Sequence, residues 1–492
     1  MSIKNWLLIL ALVVAIPALA AKPKAIVLFY ADDLGYGDTS AYGQAKVPTP
    51  ELERLASEGC RFLDAHSATP ICTPSRYSLL TGRYAFRRPG TRILDGDAKL
   101  ILPVEGSAEV TLPVLMKRAG YRTAAIGKWH LGLGAGAEPI DWNHTIAPSP
   151  REVGFDKSLV MAATADRVPC VLVEDGKVVG LEADDPIEVS YDNVERKWPD
   201  EITAHTHPEL LKVWGRPSDR QHDKTIVDGI SRIGHMRGGM AARWRDEELA
   251  NRFADAAEAF IRDSAGEPIF LYFATNDIHV PRDPAACFRG RSGLGIRGDA
   301  TVQLDFTLGR IRRALAENGY EDTLFVFTSD NGPKVADGYE DGAREAWQHD
   351  NPAAPFRGGK YTVYEGGTRV PMIVAWPGHV RPGTESRALV SQTDFARSLA
   401  RIAEVEVPPG SCADSRDLAY VMLGASEAGR ESLAEQPAWG PWGYRKGAWK
   451  LIDSDEAQLY FLDDDPGERC NLAAEYPEKT AELRRELHAL LQ

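Results

Sequence analysis

Short apolar runs rich in β-branched and aromatic residues recur through roughly the first 400 residues, and stretches with helical periodicity separate them. The runs predict strands at 25–30 (AIVLFY), 122–126 (RTAAI), 269–274 (IFLYFA), 323–328 (TLFVFT) and 372–375 (MIVA). Helices are predicted at 51–59, 111–120, 246–264 and 302–319. This alternation predicts an α/β fold, with a large, mostly parallel sheet flanked by helices.

Polar residues follow four of these strands directly. The four clusters are Asp32-Asp33, Lys128-Trp129-His130, Asn276-Asp277-Ile278-His279 and Asp330-Asn331. Ligands of open α/β sheets bind beyond the carboxyl ends of the strands, so we expect the clusters to converge on one pocket. Asp32, Asp33, Asp330 and Asn331 offer hard oxygen donors, which suit Ca²⁺ or Mg²⁺.

The stretch ATPICTPSRYSLLTGRY (68–84) places a cysteine between two prolines at the start of a predicted helix. Pro74 fits the first helical position, and Gly82 closes the helix. Cys72 would then lie near the positive end of the helix dipole, with Arg76 one turn further on. The arrangement predicts an anion site.

Three regions lie outside or beside this alternation. Residues 1–21 read as a secretory signal peptide with a small-residue cleavage site, which predicts a periplasmic or secreted enzyme without a stable membrane anchor; a retained N-terminal anchor is the alternative. Within a catalytic domain at 22–424, residues 154–245 lose their periodicity and are interpreted as a substrate-loop insertion. After 424 the composition shifts, and 425–492 predict a small C-terminal subdomain of antiparallel strands and a final helix.

Charge and cysteine content exclude several classes of partner and site. A formal net charge of −14 argues against a nucleic-acid partner. The six cysteines are widely spaced and form no CxxC pair, so neither a zinc site nor a disulfide framework is indicated. One or two disulfides are an alternative that the sequence leaves undecided, because the expected compartment is oxidising.

Several motifs together resemble those of one enzyme family. They are Cys72-Thr73-Pro74-Ser75-Arg76 with Leu80-Thr81-Gly82-Arg83, Ala31-Asp32-Asp33-Leu34-Gly35, Gly127-Lys128-Trp129-His130, Ser329-Asp330-Asn331-Gly332 and Arg357-Gly358-Gly359-Lys360. The set resembles the type I sulfatases of the alkaline-phosphatase superfamily, which implies that superfamily's fold. In that family the cysteine is oxidised after translation to formylglycine by a separate maturing enzyme.

The resemblance implies a role for each motif residue. Asp32, Asp33, Asp330, Asn331 and the formylglycine at Cys72 would bind a divalent cation, usually Ca²⁺, although Mg²⁺ is an alternative. Arg76, Lys128 and Lys360 would neutralise the sulfate, His130 would take the hydrate proton, and His279 would protonate the leaving alcohol. One hydroxyl of an aldehyde hydrate can attack the sulfate ester, and loss of the proton from the second hydroxyl then expels sulfate and restores the aldehyde. A serine has only one hydroxyl and would be left as a stable serine sulfate.

The insertion resembles the variable segments of bacterial carbohydrate sulfatases, with 6-O-sulfated N-acetylgalactosamine or galactose as the expected substrate. Asp166, Arg167 and His222 are the substrate-binding candidates, because an Asp–Arg pair can bridge two sugar hydroxyls. Two alternatives are a phosphate or phosphonate ester hydrolase of the same fold and a catalytically silent glycan-binding protein. An enzyme that its host leaves unmatured is a third.

Overall fold

The structure is a computed structural model that describes residues 22–43 and 46–492. The predicted signal peptide, 1–21, therefore lies outside the described residues. In chain order the strands β1–β20 are Ala25–Ala31, Cys60–Phe62, Ala65–His66, Arg122–Lys128, Lys157–Met161, Leu172–Glu174, Lys177–Val178, Glu188–Ser190, Ile226–Val227, Ile230–Ser231, His235–Arg237, Ile269–Ala274, Thr323–Ser329, Met372–Ala375, Thr384–Ser386, Val390–Ser391, Ser432–Glu435, Trp442–Lys446, Trp449–Asp453 and Gln458–Phe461.

Eleven α-helices accompany these strands in the described part of the chain. In order, α1–α11 are Pro50–Glu58, Cys72–Thr81, Leu112–Arg118, Pro150–Val153, Leu249–Asp263, Gly295–Glu317, Ala343–Ala346, Glu365–Thr368, Phe395–Ile402, Ala419–Met422 and Pro477–Leu491. The four helices predicted from periodicity correspond to α1, α3, α5 and α6. The longest, α6, begins seven residues before its predicted start, at Gly295 instead of 302.

A ten-stranded sheet forms the centre of the molecule, in the order β15-β2-β14-β13-β1-β12-β4-β5-β6-β7. Neighbours within β13-β1-β12-β4-β5 are all parallel, whereas β14 is antiparallel to β13 and β6 to β5. All seven residues of β1 are buried, as expected of a strand covered on both faces. The predicted large, mixed and mostly parallel α/β sheet is confirmed.

The helix around the Pro74 motif begins two residues earlier than the sequence predicts. α2 starts at Cys72, so Pro74 is its third residue and the expectation that it occupies the first is wrong. The first four amides of a helix have no intrahelical acceptor, so proline costs no hydrogen bond there. Gly82 ends the helix with a φ of 62°, a left-handed conformation that glycine adopts without strain.

Part of the predicted insertion belongs to the main sheet. β5 pairs in parallel with β4, and β6 and β7 extend the same edge, so residues Lys157–Val178 continue the core architecture. The rest of 154–245 holds two small antiparallel pairs, β9-β10 and β8-β11. β6 and β7 have only three and two residues, and β5 (KSLVM) begins with a lysine and a serine, so no long apolar run marks any of the three strands.

The chain ends in a four-stranded antiparallel sheet, β17-β18-β19-β20, followed by α11. The predicted small C-terminal α+β unit is thus present, and its sheet begins at Ser432. Across residues 22–43 and 46–492, no helix combines the length and apolar character required to cross a membrane.

Candidate active site

The register of the parallel strands brings the predicted polar clusters together. Ala31, the last residue of β1, pairs with Ser329, the last residue of β13, so Asp32 and Asp330 leave adjacent strands at the same level. On the other side of β1, β12 pairs with β4, with Ala274 opposite Gly127. A Cβ at Gly127 would lie 1.9 Å from the carbonyl oxygen of Ala274, so only glycine fits immediately before Lys128.

Three buried cations each form an ion pair with a different buried aspartate. The pairs are Lys128 Nζ with Asp32 Oδ2 (2.6 Å), Arg76 Nη2 with Asp330 Oδ2 (2.7 Å) and Lys360 Nζ with Asp33 Oδ2 (2.9 Å). Burial acts to raise the pKa of Asp33, but the charge of Lys360 lowers it well below its usual range. Asp33 also has a φ of 56°, a strained conformation that occurs at functional sites.

The oxygen donors are suited to a hard divalent cation. Carboxylate oxygens of Asp32 and Asp33 and a ring nitrogen of His279 all lie within 4.8 Å of one another. Asp32 Oδ1 and Asn331 Oδ1 are buried without a hydrogen-bond partner in the described structure. Burial raises the pKa of Asp32, and repulsion from Asp330 raises it further. Burying an oxygen without a hydrogen-bond partner costs desolvation free energy, and a cation bound by these oxygens would offset that cost.

Helix α2 fixes Cys72 and Arg76 against these strand ends. All ten of its residues are buried. Thr73 Oγ1 donates to the carbonyl of His130 at 2.9 Å, and Arg76 Nη1 donates to the carbonyl of Lys128 at 3.1 Å. Burial raises the pKa of the Cys72 thiol, an effect that the charges of Lys128 and Lys360 only partly oppose. The unmodified side chain is therefore a protonated thiol at neutral pH.

His130 has one ring nitrogen free to accept a proton. Its Nε2 lies 2.8 Å from the carbonyl oxygen of Leu94 and must donate to it, which leaves the lone pair on Nδ1. Nδ1 is buried and has no hydrogen-bond partner in the described residues. Burial and the charge of Lys128 hold the pKa of His130 well below its usual value. His130 is thus a neutral base, held at a φ of 54°.

His279 follows β12 and has the opposite tautomer. Its Nδ1 lies 2.6 Å from the carbonyl oxygen of Val280 and donates to it, so the lone pair is on Nε2. Burial, together with the charges of Lys360 and Lys128, lowers its pKa. An anion bound beside these two lysines would offset their charge and raise that pKa again.

One cavity of about 300 Å³ collects most of the predicted site residues. Its lining includes Cys72, His130, Asp166, Arg167, His222, His279 and Lys360. The other predicted residues are fully or almost fully buried; they are Asp32, Asp33, Arg76, Lys128, Asp330 and Asn331. Besides the ion pairs above, Asn331 Nδ2 donates to Asp33 Oδ1 at 2.8 Å, and the amide of Asp33 donates to Asp330 Oδ1 at 3.3 Å.

The three substrate-binding candidates form one hydrogen-bonded group. Arg167 Nη1 lies 3.0 Å from Asp166 Oδ2, and His222 Nε2 lies 3.3 Å from the same oxygen. On its other side, His222 Nδ1 lies 2.8 Å from Asp219 Oδ1. Burial lowers the pKa of an imidazole, but these two carboxylates outweigh it and raise the pKa of His222 to about 9.

Several residues of the cavity were not selected from the sequence. Asp219 and Gln221 come from the insertion, Asp337 and Tyr361 flank Lys360 in space, and Trp439 comes from the loop before β18. Asp337 Oδ2 lies 3.3 Å from Lys360 Nζ and accepts a hydrogen bond from the Tyr361 hydroxyl at 2.8 Å. Asp337 and Trp439 lie in irregular segments outside the motifs, whereas Tyr361, Asp219 and Gln221 stand within three positions of selected residues, and that proximity is the signal that could have identified them.

All six cysteines are unpaired in the structure, including Cys72. Four of them, Cys60, Cys72, Cys170 and Cys412, are buried, whereas Cys287 and Cys470 are exposed. The disulfides that the sequence left open are therefore not formed.

Comparisons with known proteins give a consistent result. The Sulfatase family model matches residues 24–405. An N-acetylgalactosamine-6-O-sulfatase of Bacteroides thetaiotaomicron is 43% identical over 480 residues, covering 94% of this chain and 92% of that protein. Human arylsulfatase A is 30% identical over 505 residues, covering 96% and 87% respectively. A solved structure from work on glycosaminoglycan metabolism by Bacteroides thetaiotaomicron superposes with a TM-score of 0.91 at 42% identity, covering 96% of this chain and all (100%) of that one.

Proposed function

The chain belongs to the sulfatase family, and from this premise we propose that it removes 6-O-sulfate from N-acetylgalactosamine or galactose in glycans, using a formylglycine at position 72 and a divalent cation. The observation that carries the proposal is the cavity in which Cys72, two histidines and Lys360 face the Asp166–Arg167–His222 group. The 43% identical relative is named for the same sulfate position.

The charges of the buried cluster support an anionic substrate. The carboxylates of Asp32, Asp33 and Asp330 are balanced by the three cations paired with them. A divalent cation added to this neutral set leaves two positive charges in a dry site. A sulfate ester carries one negative charge, and more charge develops on its oxygens as the ester bond breaks, so the excess favours binding and reaction.

Asp32, Asp33, Asp330 and Asn331 would hold the cation, which would act as a Lewis acid toward sulfate and acidify the attacking hydroxyl. The four hard oxygen donors suit Ca²⁺ or Mg²⁺, and calcium is the proposed ion because the family that the chain resembles usually holds it. Arg76, Lys128 and Lys360 would supply positive charge next to the sulfate, each held in place by its ion pair with an aspartate. Their ion pairs would thus orient the cationic side chains before substrate arrives.

Formylglycine fits position 72 better than cysteine does. The buried thiol has a raised pKa and is a poor nucleophile at neutral pH. A formylglycine hydrate would supply the attacking hydroxyl and a second hydroxyl for release of sulfate. Because Cys72 is only 2% exposed, the maturing enzyme would have to reach it before folding is complete, which agrees with modification during export to the periplasm or medium.

Two histidines are placed for the proton transfers. His130 offers the unpartnered Nδ1, which can accept the hydroxyl proton during release of sulfate. Once a bound anion has raised its pKa, His279 can take up a proton on Nε2 and give it to the departing sugar oxygen, with Lys360 nearby to assist. The Leu94 and Val280 carbonyls orient the two rings, and each ring presents its other nitrogen for catalysis.

The test is a panel of desulfation assays on protein made in a host that matures sulfatases. Monosaccharides and disaccharides carrying sulfate at C6 or C4 of N-acetylgalactosamine, or C6 of galactose, are incubated with enzyme and calcium, and released sulfate is measured. We expect C6 sulfate to be released and C4 sulfate to be retained. Release only from C4, or hydrolysis of phosphate esters in preference to sulfate esters, would contradict the proposal.

His222 should make substrate affinity depend on pH. With a pKa of about 9 it is a cation at neutral pH, and this charge is lost as the pH rises through about 9. We therefore expect KM for the 6-sulfated sugar to rise above pH 9. In Asp219→Asn one of the two carboxylates is gone, so the rise should begin at a lower pH. Profiles of kcat and KM against pH measure this; identical KM profiles for the two proteins would exclude the role of His222.

A further inference from the structure

The rim of the cavity carries an aromatic pair that the catalytic proposal does not use. Trp439 stacks on Tyr361, with 5.0 Å between the ring centroids and 25° between the ring planes. Both residues line the cavity that contains Cys72. Trp439 is nevertheless 66% exposed, which is unusual for a tryptophan, a residue that is highly buried on average. One face of its indole covers Tyr361, and much of the remainder meets solvent.

The pair is anchored from two distant parts of the chain. The amide of Tyr361 donates to the carbonyl of Pro70, two residues before Cys72, at 2.8 Å. The amide of Gln436, in the loop that carries Trp439, donates to the carbonyl of Ala68 at 2.8 Å. Tyr361 has a φ of 78°, a conformation rare for a side chain of its size. Both aromatic residues are thus held against the segment leading into α2.

The cavity limits how much of a glycan it can enclose. A volume of about 300 Å³ is at the small end of ligand pockets, with room for one sulfated sugar and not for two. A sugar joined to the enclosed residue must therefore lie at the rim. The C–H face of a pyranose is apolar, and an exposed indole face is a suitable surface for it. Lys334 Nζ lies 5.1 Å from the centroid of the Tyr361 ring, and Asp337 Oδ2 accepts a hydrogen bond from the Tyr361 hydroxyl, so charges of both signs support this ring.

We propose that Trp439, supported by Tyr361, binds the sugar joined to the sulfated residue, and so makes a glycan chain a better substrate than the free monosaccharide. This inference rests on the proposed function and adds a second sugar site to it. Tyr361 lies within residues 24–405, which match the family model, whereas Trp439 lies beyond them and comes from the C-terminal part of the chain.

The experiment compares two substrates on four proteins. The substrates are 6-sulfated N-acetylgalactosamine alone and the same sugar joined through C1 to glucuronic acid. The proteins are the native enzyme, Trp439→Ala, Trp439→Phe and Phe306→Ala. Phe306 is a matched control, because it is also an exposed aromatic residue (45%) but lies on α6 and not in the cavity lining.

We expect the ratio of kcat/KM for the disaccharide to that for the monosaccharide to fall about tenfold in Trp439→Ala, as is typical when one stacked ring is lost. Trp439→Phe should keep most of the ratio, and Phe306→Ala should keep all of it. Equal losses on both substrates in Trp439→Ala would overturn the proposal, because they would mean that Trp439 only maintains the cavity.

A binding measurement separates this proposal from the proposed function. Both sugars are titrated into Cys72→Ala protein, with and without Trp439→Ala, and the dissociation constants are determined by calorimetry. If the native enzyme desulfates neither sugar, the proposed function has failed. The second sugar site is supported if Trp439→Ala raises the dissociation constant of the disaccharide and not that of the monosaccharide. It is contradicted if disaccharide and monosaccharide bind equally well to Cys72→Ala.

Discussion

Replacing Cys72 by alanine is expected to reduce sulfate ester hydrolysis by at least about 10⁴-fold, because alanine provides neither a thiol to oxidise nor a hydroxyl to attack. The buried cations and the cation site would remain, so binding of sulfated sugar should persist. Initial rates of sulfate release, measured at saturating substrate, give the loss in kcat.

Cys60→Ala is the matched control, because Cys60 is also buried but lies on β2, away from the cavity. This variant should retain native kcat. Mass spectrometry of the tryptic peptide 62–76 adds a direct reading, since formylglycine is about 18 Da lighter than cysteine. If Cys72→Ala hydrolyses the ester at the native rate, or if active native enzyme carries only unmodified cysteine, the formylglycine mechanism is wrong.

Replacing Lys450 by methionine is expected to destabilise the fold by about 3–5 kcal/mol. Lys450 Nζ lies 2.8 Å from Glu365, 3.1 Å from Glu435 and 3.3 Å from Glu468. All four side chains are completely buried, at the contact between the C-terminal sheet and α8. Removal of the ammonium leaves three carboxylates in a dry interior with fewer opposing charges, and burial already raises the pKa of Glu468 to about 7.

Lys446→Met makes the same chemical change four residues earlier in the C-terminal sheet. Lys446 is on β18 and pairs with Glu482 and Glu486 of α11 at the surface, where water screens the charges. Its loss should leave the urea midpoint within error of the native value. Equal urea midpoints for Lys450→Met and Lys446→Met would show that the buried ammonium contributes nothing to stability.

Local patterns identified the strands that build the site. The runs AIVLFY, IFLYFA and TLFVFT are buried along their whole length. Their almost entirely apolar composition therefore indicates central strands covered on both faces of the sheet. The residues that follow them were predicted to converge, because parallel strands end at one edge. The pairing of Ala31 with Ser329 shows that β1 and β13 end at the same level, which brings the residues that follow them together.

Residues in irregular segments could not be predicted in this way. The approach of Asp337 to Lys360, and of His222 to Asp166, depends on loops whose course is determined by packing against distant elements. Only the structure distinguishes Trp439, which is 66% exposed at the rim, from Trp129, which is completely buried.

The sequence by itself determined the α/β sheet, the donors and cations available at its edge, and the family resemblance, because these depend on periodicity and on residue type at short spacing. Only the tertiary structure decided which aspartate neutralises which cation, which nitrogen of His130 is free, and which aromatic residue stands at the cavity mouth. The physical reason is that these properties arise from contacts between residues far apart in the chain. Arg76 and Asp330, for example, are separated by 254 positions and meet at 2.7 Å.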